Sequence, residues 1–406
     1  QPRRRGHARD AALRRGRPPR RTGPRGHGGQ RLLGAIRPPA PFRLGRLRRD
    51  ARGRGVLVRR SARLRRRPRS GPLPRPDSGE VHVSYARFAN PAVVTQGWYC
   101  AGPAKGLAAA APSAADLFGR RIVLWRDEGG AVRAADARCA HLGADLSLGT
   151  VTAGRLTCGF HQWTYDGEGR CVACPSAYAG VPRPRARVFP AAERWGALWV
   201  FAGPEPLFPL PAFSGLRGPE AAWGLPPAKM NAHPHVITMN GLDIHHFRAV
   251  HGLEFVGEPV LDRPDAFRTR LTLKARVGGH GLLAGLVRRL SGGVVEAAFT
   301  TYGANLAVIE GKAGRVPVRV VFSHAPRPEG GSLSRTFLVG ERGPAGFPER
   351  LAAALAMAHI LSGDREVLDR IDFHPGFAPA DAALSAFAAA AEALPTVDEP
   401  SEARRG

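Results

Sequence analysis

The chain has 406 residues and a net charge of +27, unevenly spread. Residues 1–80 hold 26 Arg against Asp10, Asp50, Asp77 and Glu80, a balance of +22 that leaves +5 for the other 326 residues. The basicity thus belongs to an N-terminal segment, and the remainder has the charge of an ordinary globular body with room for two or three domains.

The basic segment has one aromatic residue, Phe42, so it offers nucleic-acid bases no stacking platform. No run of about 7–15 apolar residues follows its Arg clusters, as a secretory signal requires, and RRSARLRRR (59–67) lacks the apolar stretch of a twin-arginine signal. Ser61, Ser70 and Ser78 are too few for an organellar transit peptide. Residues 1–82 are expected to be a solvated, disordered tail. No stretch of about 18 uncharged apolar residues is present, so no membrane span is expected. Five cysteines, an odd number, argue against a disulfide framework and for a reducing compartment, the cytoplasm.

From residue 83 the chain reads as globular. RRIVLWRDEGGAVRAAD (120–136) is a hairpin around DEGG, HQWTYDGEGRCV (161–172) a second around DGEG, and ERWGALWVFAG (193–203) a further strand. An antiparallel β domain is expected over 83–203, closed by a Pro-rich linker at 203–213. The second domain, 204–397, mixes predicted strands at 233–240, 267–277, 296–311 and 316–324 with predicted helices at 241–252, 347–362 and 379–394. Residues 398–406 are expected to be disordered. The fold class is α+β, an antiparallel sheet with helices packed on one side following the all-β domain.

Within the first domain, Cys139 and His141 are one residue apart, Cys158 and His161 two, with sixteen residues between the pairs. Two Cys and two His suit zinc or a [2Fe–2S] cluster. Structural zinc sites usually pair like with like, whereas here each loop supplies one of each. A cluster has two irons, so one takes both sulfurs and the other both imidazoles. Gly143 and Gly159 are expected to let the backbone approach the inorganic sulfides. Cys171 and Cys174 form a C-x₂-C read as small buried residues on a strand end, and Cys100 reads as core.

CAHLGADLSLG followed by LTCGFHQWTYDGEGRC closely resembles the Rieske domain of Rieske-type non-haem iron oxygenases, the ring-hydroxylating oxygenase alpha-subunit family. The resemblance covers nearly all of residues 85–395 and departs at Gly159 and Gln162, neither a ligand position. Leu142 and Phe160 stand where respiratory Rieske proteins carry a disulfide pair, which favours the oxygenase branch. The resemblance makes Cys139, His141, Cys158 and His161 the cluster ligands and implies a START-like, helix-grip catalytic domain.

In MNGLDIHHFRAVHG (239–252), Asn240, Asp243, His246 and His251 follow at offsets of three, three and five. The first steps are near one helical turn, but His246 and His251 lie about 140° apart on an ideal helix. Both reach one metal only if the helix bends or ends, as Gly252 suggests. The stretch matches the family's N-x₂-D-x₂-H-x₄-H motif, which implies His246 and His251 as ligands of a mononuclear Fe(II). It also implies a third ligand on the long C-terminal helix, for which Asp364 matches best, with Asp369 and Asp372 as fallbacks. By the same resemblance Asn240 and Asp243 belong to the catalytic machinery. It further implies head-to-tail homotrimers in which Asp243 would link His161 of one chain to His246 of the next. His233 and His235, on the face of a predicted strand, match no family position.

GHGLLAG (279–285) has the wrong glycine spacing for a dinucleotide fingerprint, and no plant-type ferredoxin run is present. NAD(P)H, flavin and a donor cluster are expected on separate partners, a ferredoxin and/or an NAD(P)H-dependent flavin reductase. The resemblance to the ketosteroid hydroxylase and sterol desaturase branch implies a hydrophobic, aromatic or sterol-like substrate that is hydroxylated, demethylated or desaturated; the apolar segments around 281–290 and 296–309 read equally as lining for its pocket or as ordinary core. Two rivals stay open: a Rieske-type electron-transfer protein without oxygenase activity, and a zinc module that uses the Arg tail on nucleic acid.

Overall fold

A computed structural model describes residues 48–49, 55–56 and 85–398, apart from 217, 279–284, 286–287 and 290–291. The chain divides between Gly79 and Glu80. The expected disordered tail, the expected terminus beyond Asp398 and most of the 281–290 segment lie outside the described residues.

The first half is built from eleven short strands: β1 (Trp98–Pro103), β2 (Ser113–Leu117), β3 (Arg120–Arg126), β4 (Val132–Asp136), β5 (Thr150–Thr152), β6 (Arg155–Thr157), β7 (Thr164–Tyr165), β8 (Cys171–Ala173), β9 (Val188–Phe189), β10 (Ala191–Arg194) and β11 (Ala197–Phe201). They pair antiparallel in three sheets, ordered β8-β7-β6-β5, β9-β4-β3-β2 and β10-β11-β1. Both sequence-predicted hairpins are present. The stretch 193–203 is not one strand. It turns at Trp195 and Gly196, whose φ angles of 55° and 69° make the left-handed pair of a two-residue hairpin.

The second half is one nine-stranded antiparallel sheet. Its strands are β12 (Glu220–Gly224), β13 (Ala228–Met230), β14 (Leu253–Phe255), β15 (Val260–Asp265), β16 (Arg268–Val277), β17 (Val294–Tyr302), β18 (Leu306–Ala313), β19 (Val316–Pro326) and β20 (Ser332–Glu341). The order is β12-β20-β19-β18-β17-β16-β14, with β13 also on β20 and β15 on β16. Helices α1 (Pro234–Asn240), α2 (Ile244–Ala249), α3 (Phe347–Leu368) and α4 (Ala382–Glu392) complete it.

Residues 233–240 are thus a helix, not a strand. The reason is burial on all sides: every residue from Pro234 to Met239 is buried, so no periodicity survives to separate helix from strand. The local signals are Pro234 in the first turn, His233 as N-cap and Gly241 as C-cap. His233 caps the helix, its Nδ1 accepting from the His235 backbone N–H at 3.1 Å, and the buried His235 ring accepts from the Ala89 N–H at 3.2 Å.

Strand alternation divides the large sheet into two buried faces. Ala307, Val320, Phe322 and Leu338 face the helices, packing with Met357 of α3 and Phe387 of α4. Leu306, Val308, Val321, Phe337 and Val339 face the other way, onto Trp98, Trp199 and Phe201 of the β10-β11-β1 sheet. Each Val, Leu, Met or Phe among them, fully buried, contributes roughly 1.5–3 kcal/mol before its ordering cost. The Pro-rich segment 203–213 is pinned across this seam: Phe208 is buried against Phe201, and its carbonyl accepts from Trp98 Nε1 at 2.9 Å. Asp398, placed in the expected disordered terminus, pairs with Arg120 and Arg187.

Candidate metal centres

The first site is made by two closed turns at strand ends. After β4, the Cys139 N–H donates to the Ala144 carbonyl and the Gly143 N–H to the Cys139 carbonyl, both at 2.8 Å. After β6, the Cys158 N–H donates to the Trp163 carbonyl at 2.8 Å and the Gln162 N–H to the Cys158 carbonyl at 3.2 Å. The turns put two buried thiols inside and two half-buried imidazoles outside, the His141 and His161 rings 4.8 Å apart. Trp163 stacks on His141 at 4.5 Å and 3°, and Tyr178 stands edge-on to the same ring. The glycines also have local backbone reasons. Gly143 sits at φ +78°, where other residues strain, and a Cβ on Gly159 would lie 2.9 Å from the Leu148 carbonyl oxygen.

Burial pushes the Cys139 thiol up and nearby Cys158 adds to it, against the opposing hydrogen bond from Tyr165, whose Oη lies 3.1 Å from Cys139 Sγ. His141 Nδ1 is buried and has no hydrogen-bond partner. An orphaned ring nitrogen beside two buried sulfurs wants a cationic centre, and the split of sulfur and nitrogen fits a [2Fe–2S] cluster. Around it, Leu142, Leu148 and Phe160 are exposed. None of the five cysteines is in a disulfide; Cys171 is buried and Cys174 half-buried, close to the small-residue reading of that pair.

The second site is assembled across the fold. The 241–252 stretch is not one helix: α1 ends at Asn240, and α2 restarts with Asp243 as N-cap, its carboxylate accepting from the His246 N–H at 2.9 Å. α2 stops at Ala249, and Gly252 takes φ +61°. The chain therefore turns between His246 and His251, which an unbroken helix would hold apart. α3 runs past the expected end at 362 to Leu368 and delivers Asp364 from its last turns.

His246 Nε2 and His251 Nε2 are 3.0 Å apart, and each lies 2.8 Å from Asp364 Oδ1. Asn240 Nδ2 is 3.3 Å from His246 Nε2 and donates to Asp364 Oδ2 at 3.2 Å. Ligands about 2.1 Å from one ion at right angles stand about 3 Å from each other. The three atoms thus have the edge lengths of one face of a metal's coordination sphere. Protons alone do not satisfy this contact set, because two ring nitrogens directed at each other and at the same oxygen leave either a lone-pair repulsion or two N–H groups facing each other. Burial would raise the Asp364 pKa, but hydrogen bonds from His246 and His251 hold it below the ordinary carboxylate value. Among the described residues these three are the group of His, Cys, Asp or Glu side chains close enough to hold a single ion. Two His and one carboxylate on one face are the donor set of non-haem ferrous sites.

Asp369 and Asp372, the fallback ligands, stand apart from the triad; Asp369 accepts from the Asn231 N–H. His245 is exposed. A cavity of about 400 Å³ opens beside the triad, walled by Asn240 and Asp364 together with Phe247, Phe299, Ile309 and Ile360. Of the segments expected to line a pocket, 296–309 contributes Phe299 and Ile309. The sequence reading missed Tyr165 and Trp163 as supports of the first site, although both fall inside its motif.

Residues 97–189 match the family model of the Rieske [2Fe-2S] domain. The chain is similar to the oxygenase component of 3-ketosteroid-9-alpha-monooxygenase from Rhodococcus rhodochrous, 32% identical over 167 residues, 40% of this chain and 42% of the relative. It is also similar to aminopyrrolnitrin oxygenase PrnD from Pseudomonas fluorescens, 42% identical over 111 residues, 25% of this chain and 31% of the relative. These matches span less than half of the relatives' length. In fold the chain is similar to dicamba monooxygenase, with a TM-score of 0.53 at 19% identity over 73% of this chain and 96% of that one. NdmA of Pseudomonas putida CBB5 gives 0.51 at 20% identity over 75% and 96%.

Proposed function

We propose that this chain, which belongs with the Rieske-type non-haem iron oxygenases, is the oxygenase component of a multi-protein system. It takes electrons from a ferredoxin and/or an NAD(P)H-dependent flavin reductase and uses O₂ to hydroxylate, demethylate or desaturate a hydrophobic substrate. The observation that carries this reading is the His246–His251–Asp364 triad beside an apolar cavity, in the same chain as a Rieske [2Fe–2S] domain. Residues 83–203 and 204–397 are its electron-receiving and catalytic halves.

When bound, a cluster held by Cys139, His141, Cys158 and His161 supplies electrons singly, and a ferrous ion held by His246, His251 and Asp364 supplies the redox-active centre for O₂. The chain's own residues set the conditions. Tyr165 directs a hydroxyl at Cys139 Sγ, and Trp163 fixes the plane of His141. Asn240 orients the Asp364 carboxylate through Oδ2, leaving Oδ1 to the ion, and such supports typically matter 10–100-fold in affinity or activity. Phe247, Phe299 and Ile360 keep the cavity apolar, so water is a poor competitor for substrate.

The oligomer belongs to this proposal as well. In a head-to-tail homotrimer, the Leu142–Phe160 rim of one chain would cover its neighbour's triad, with Asp243 between His161 of one and His246 of the other. Supporting this are the exposed apolar rim around the cluster histidines and the position of Asp243, half-exposed at the start of α2. Free cysteines are in keeping with a cytoplasmic site, and among the described residues no helix is long and apolar enough to cross a membrane.

The test is metal content followed by turnover. Anaerobically purified chain should hold three irons and two acid-labile sulfides, give a Rieske-type paramagnetic signal after dithionite, and incorporate label from ¹⁸O₂ into product with a surrogate reductase. Two irons and no turnover would leave an electron-transfer protein; zinc without colour would sink the reading.

A further inference from the structure

The cavity beside the triad has an apolar lining apart from Arg365 and two polar groups. One group is Asn240 and Asp364. The other is on the large sheet, where the β19–β20 register sets His324 opposite Ser334 and Phe322 opposite Thr336. Alternation puts all four on the helix-facing side, and all four line the cavity. His324 is 5% exposed, Ser334 and Thr336 8% each. His324 Nδ1 lies 2.9 Å from Ser334 Oγ, whose one hydroxyl proton can go to that nitrogen or to Met230 Sδ at 3.3 Å.

That leaves His324 Nε2. Among the described residues none hydrogen-bonds it, yet it is not an atom sealed off from solvent, and His324 lines the cavity, so Nε2 is read as opening on it. Burial pushes the His324 pKa down to about 3, so the ring is neutral. Because Ser334 Oγ can accept from Nδ1 or donate to it, Nε2 can serve as acceptor or donor. The cation on the cavity wall, Arg365, has a largely exposed side chain beside Asp369 at 3.6 Å. A neutral imidazole in an apolar wall suits a neutral oxygen function and disfavours a carboxylate, which would have to shed its hydration with no counter-ion inside.

Resting on the reading that the triad holds the reacting iron, we propose that His324, braced by Ser334 and flanked by Thr336, anchors a single hydroxyl or ketone oxygen of an otherwise apolar, uncharged substrate. By pinning that oxygen at the sheet, it determines which carbon is presented at the triad. His324 is then a specificity-determining residue.

The test is equilibrium binding to the full-length, iron-loaded chain, with three matched probes: tetralin, 2-tetralone and tetralin-2-carboxylate. The wild type should bind the ketone at least tenfold more tightly than the hydrocarbon, and the carboxylate no better than the hydrocarbon. In His324→Leu the preference for the ketone should collapse to within twofold, and His324→Gln, which keeps a neutral hydrogen-bonding end, should restore most of it. Where His324→Leu fails to fold, Thr336→Val and Ser334→Ala each should erode the preference several-fold. A preference unchanged in these variants, a carboxylate bound most tightly, or equal or undetectable binding of all three to the wild type overturns the proposal. Iron content is measured on the same samples. Loss of the third iron in the wild type would defeat the oxygenase reading, whatever the probes show.

Discussion

The two metal centres are built by opposite strategies. The first gathers its four side chains from residues 139–161, two turns held by their own backbone hydrogen bonds. The second needs α1, α2 and α3, with His246 and Asp364 separated by 118 positions and joined only because the large sheet brings α3 back over α2. One sits at the rim of small sheets under exposed Leu142 and Phe160, the other deep beside a cavity. A centre that must pass electrons to a partner belongs at a surface on stiff local turns. A centre that must hold a substrate belongs where several elements converge, and its geometry is then hostage to the whole fold.

The sharpest way to break this comparison is to remove one ligand from each site. Asp364→Ala should lower affinity for the mononuclear ion by more than about 100-fold and abolish product formation, since a ligand outweighs a support worth 10–100-fold. The visible and paramagnetic signature of the cluster should remain. Cys158→Ser should do the reverse, losing the cluster while the triad still binds one ferrous ion or a cobalt surrogate. Metal analysis of both variants decides it. Loss of both metals in either variant would mean that the sites do not form independently.

The same contrast governs what could be read from the sequence. The candidate cluster residues stand out because ligand spacing is local, and the hairpins around DEGG and DGEG were legible because alternation and turn residues are local too. Asp364 carries no such signal. HILSGDREVLDRIDF offers three aspartates, and only the resemblance chose among them. The 233–240 segment was misread because a helix buried on every side has no polar face to show its period. The Trp195–Gly196 turn hid inside an apolar run because a tryptophan at positive φ is a poor turn signal. His324 and Ser334 were invisible as a pair, since strand register across a long sheet is set by tertiary contacts.

Asp243 tests whether the two strategies are coupled across subunits. It caps α2, and loss of that cap alone should cost about 1 kcal/mol of stability. If it also bridges to the neighbour's His161, Asp243→Ala should keep both metals and lower turnover by 10-fold or more. Asp243→Asn, which retains a capping oxygen, separates the roles: restored stability without restored turnover assigns the carboxylate to electron passage, whereas full recovery leaves only the cap.

Acid should strain the second half selectively. His233, His235 and His324 all lie there, and burial pushes them down, His233 to about 4 and His324 to about 3. Their folded values lie below the unfolded value of about 6.5, so the unfolded chain takes up protons first as pH falls. Stability is intact above about 6.5 and is lost below it at about 1.4 kcal/mol per pH unit for each histidine, until the folded ring itself protonates. Paired carboxylates such as Asp398 have lowered values and lose their contribution only below about 4. Urea midpoints between pH 6.5 and 5 therefore isolate the histidines, and His324→Gln should flatten the slope by about 1.4 kcal/mol per unit. An unchanged slope would mean that His324 is charged in the fold.

The smallest expected effect lies in the first half. Tyr165 is buried, its hydroxyl is held protonated chiefly by that burial, and it points at Cys139 Sγ. A hydrogen bond to sulfur favours the more negative, reduced state of a cluster and so raises its potential. A bond to a charged group is worth about 1.5–3 kcal/mol, and for a one-electron couple that corresponds to at most about 130 mV, less where both oxidation states keep the bond. Tyr165→Phe should therefore lower the potential by a few tens of millivolts, read by redox titration of the paramagnetic signal. Turnover should slow only where electron arrival limits it. A potential that stays put would leave Tyr165 as packing alone, and the first site would then owe its tuning to the imidazoles and their exposure.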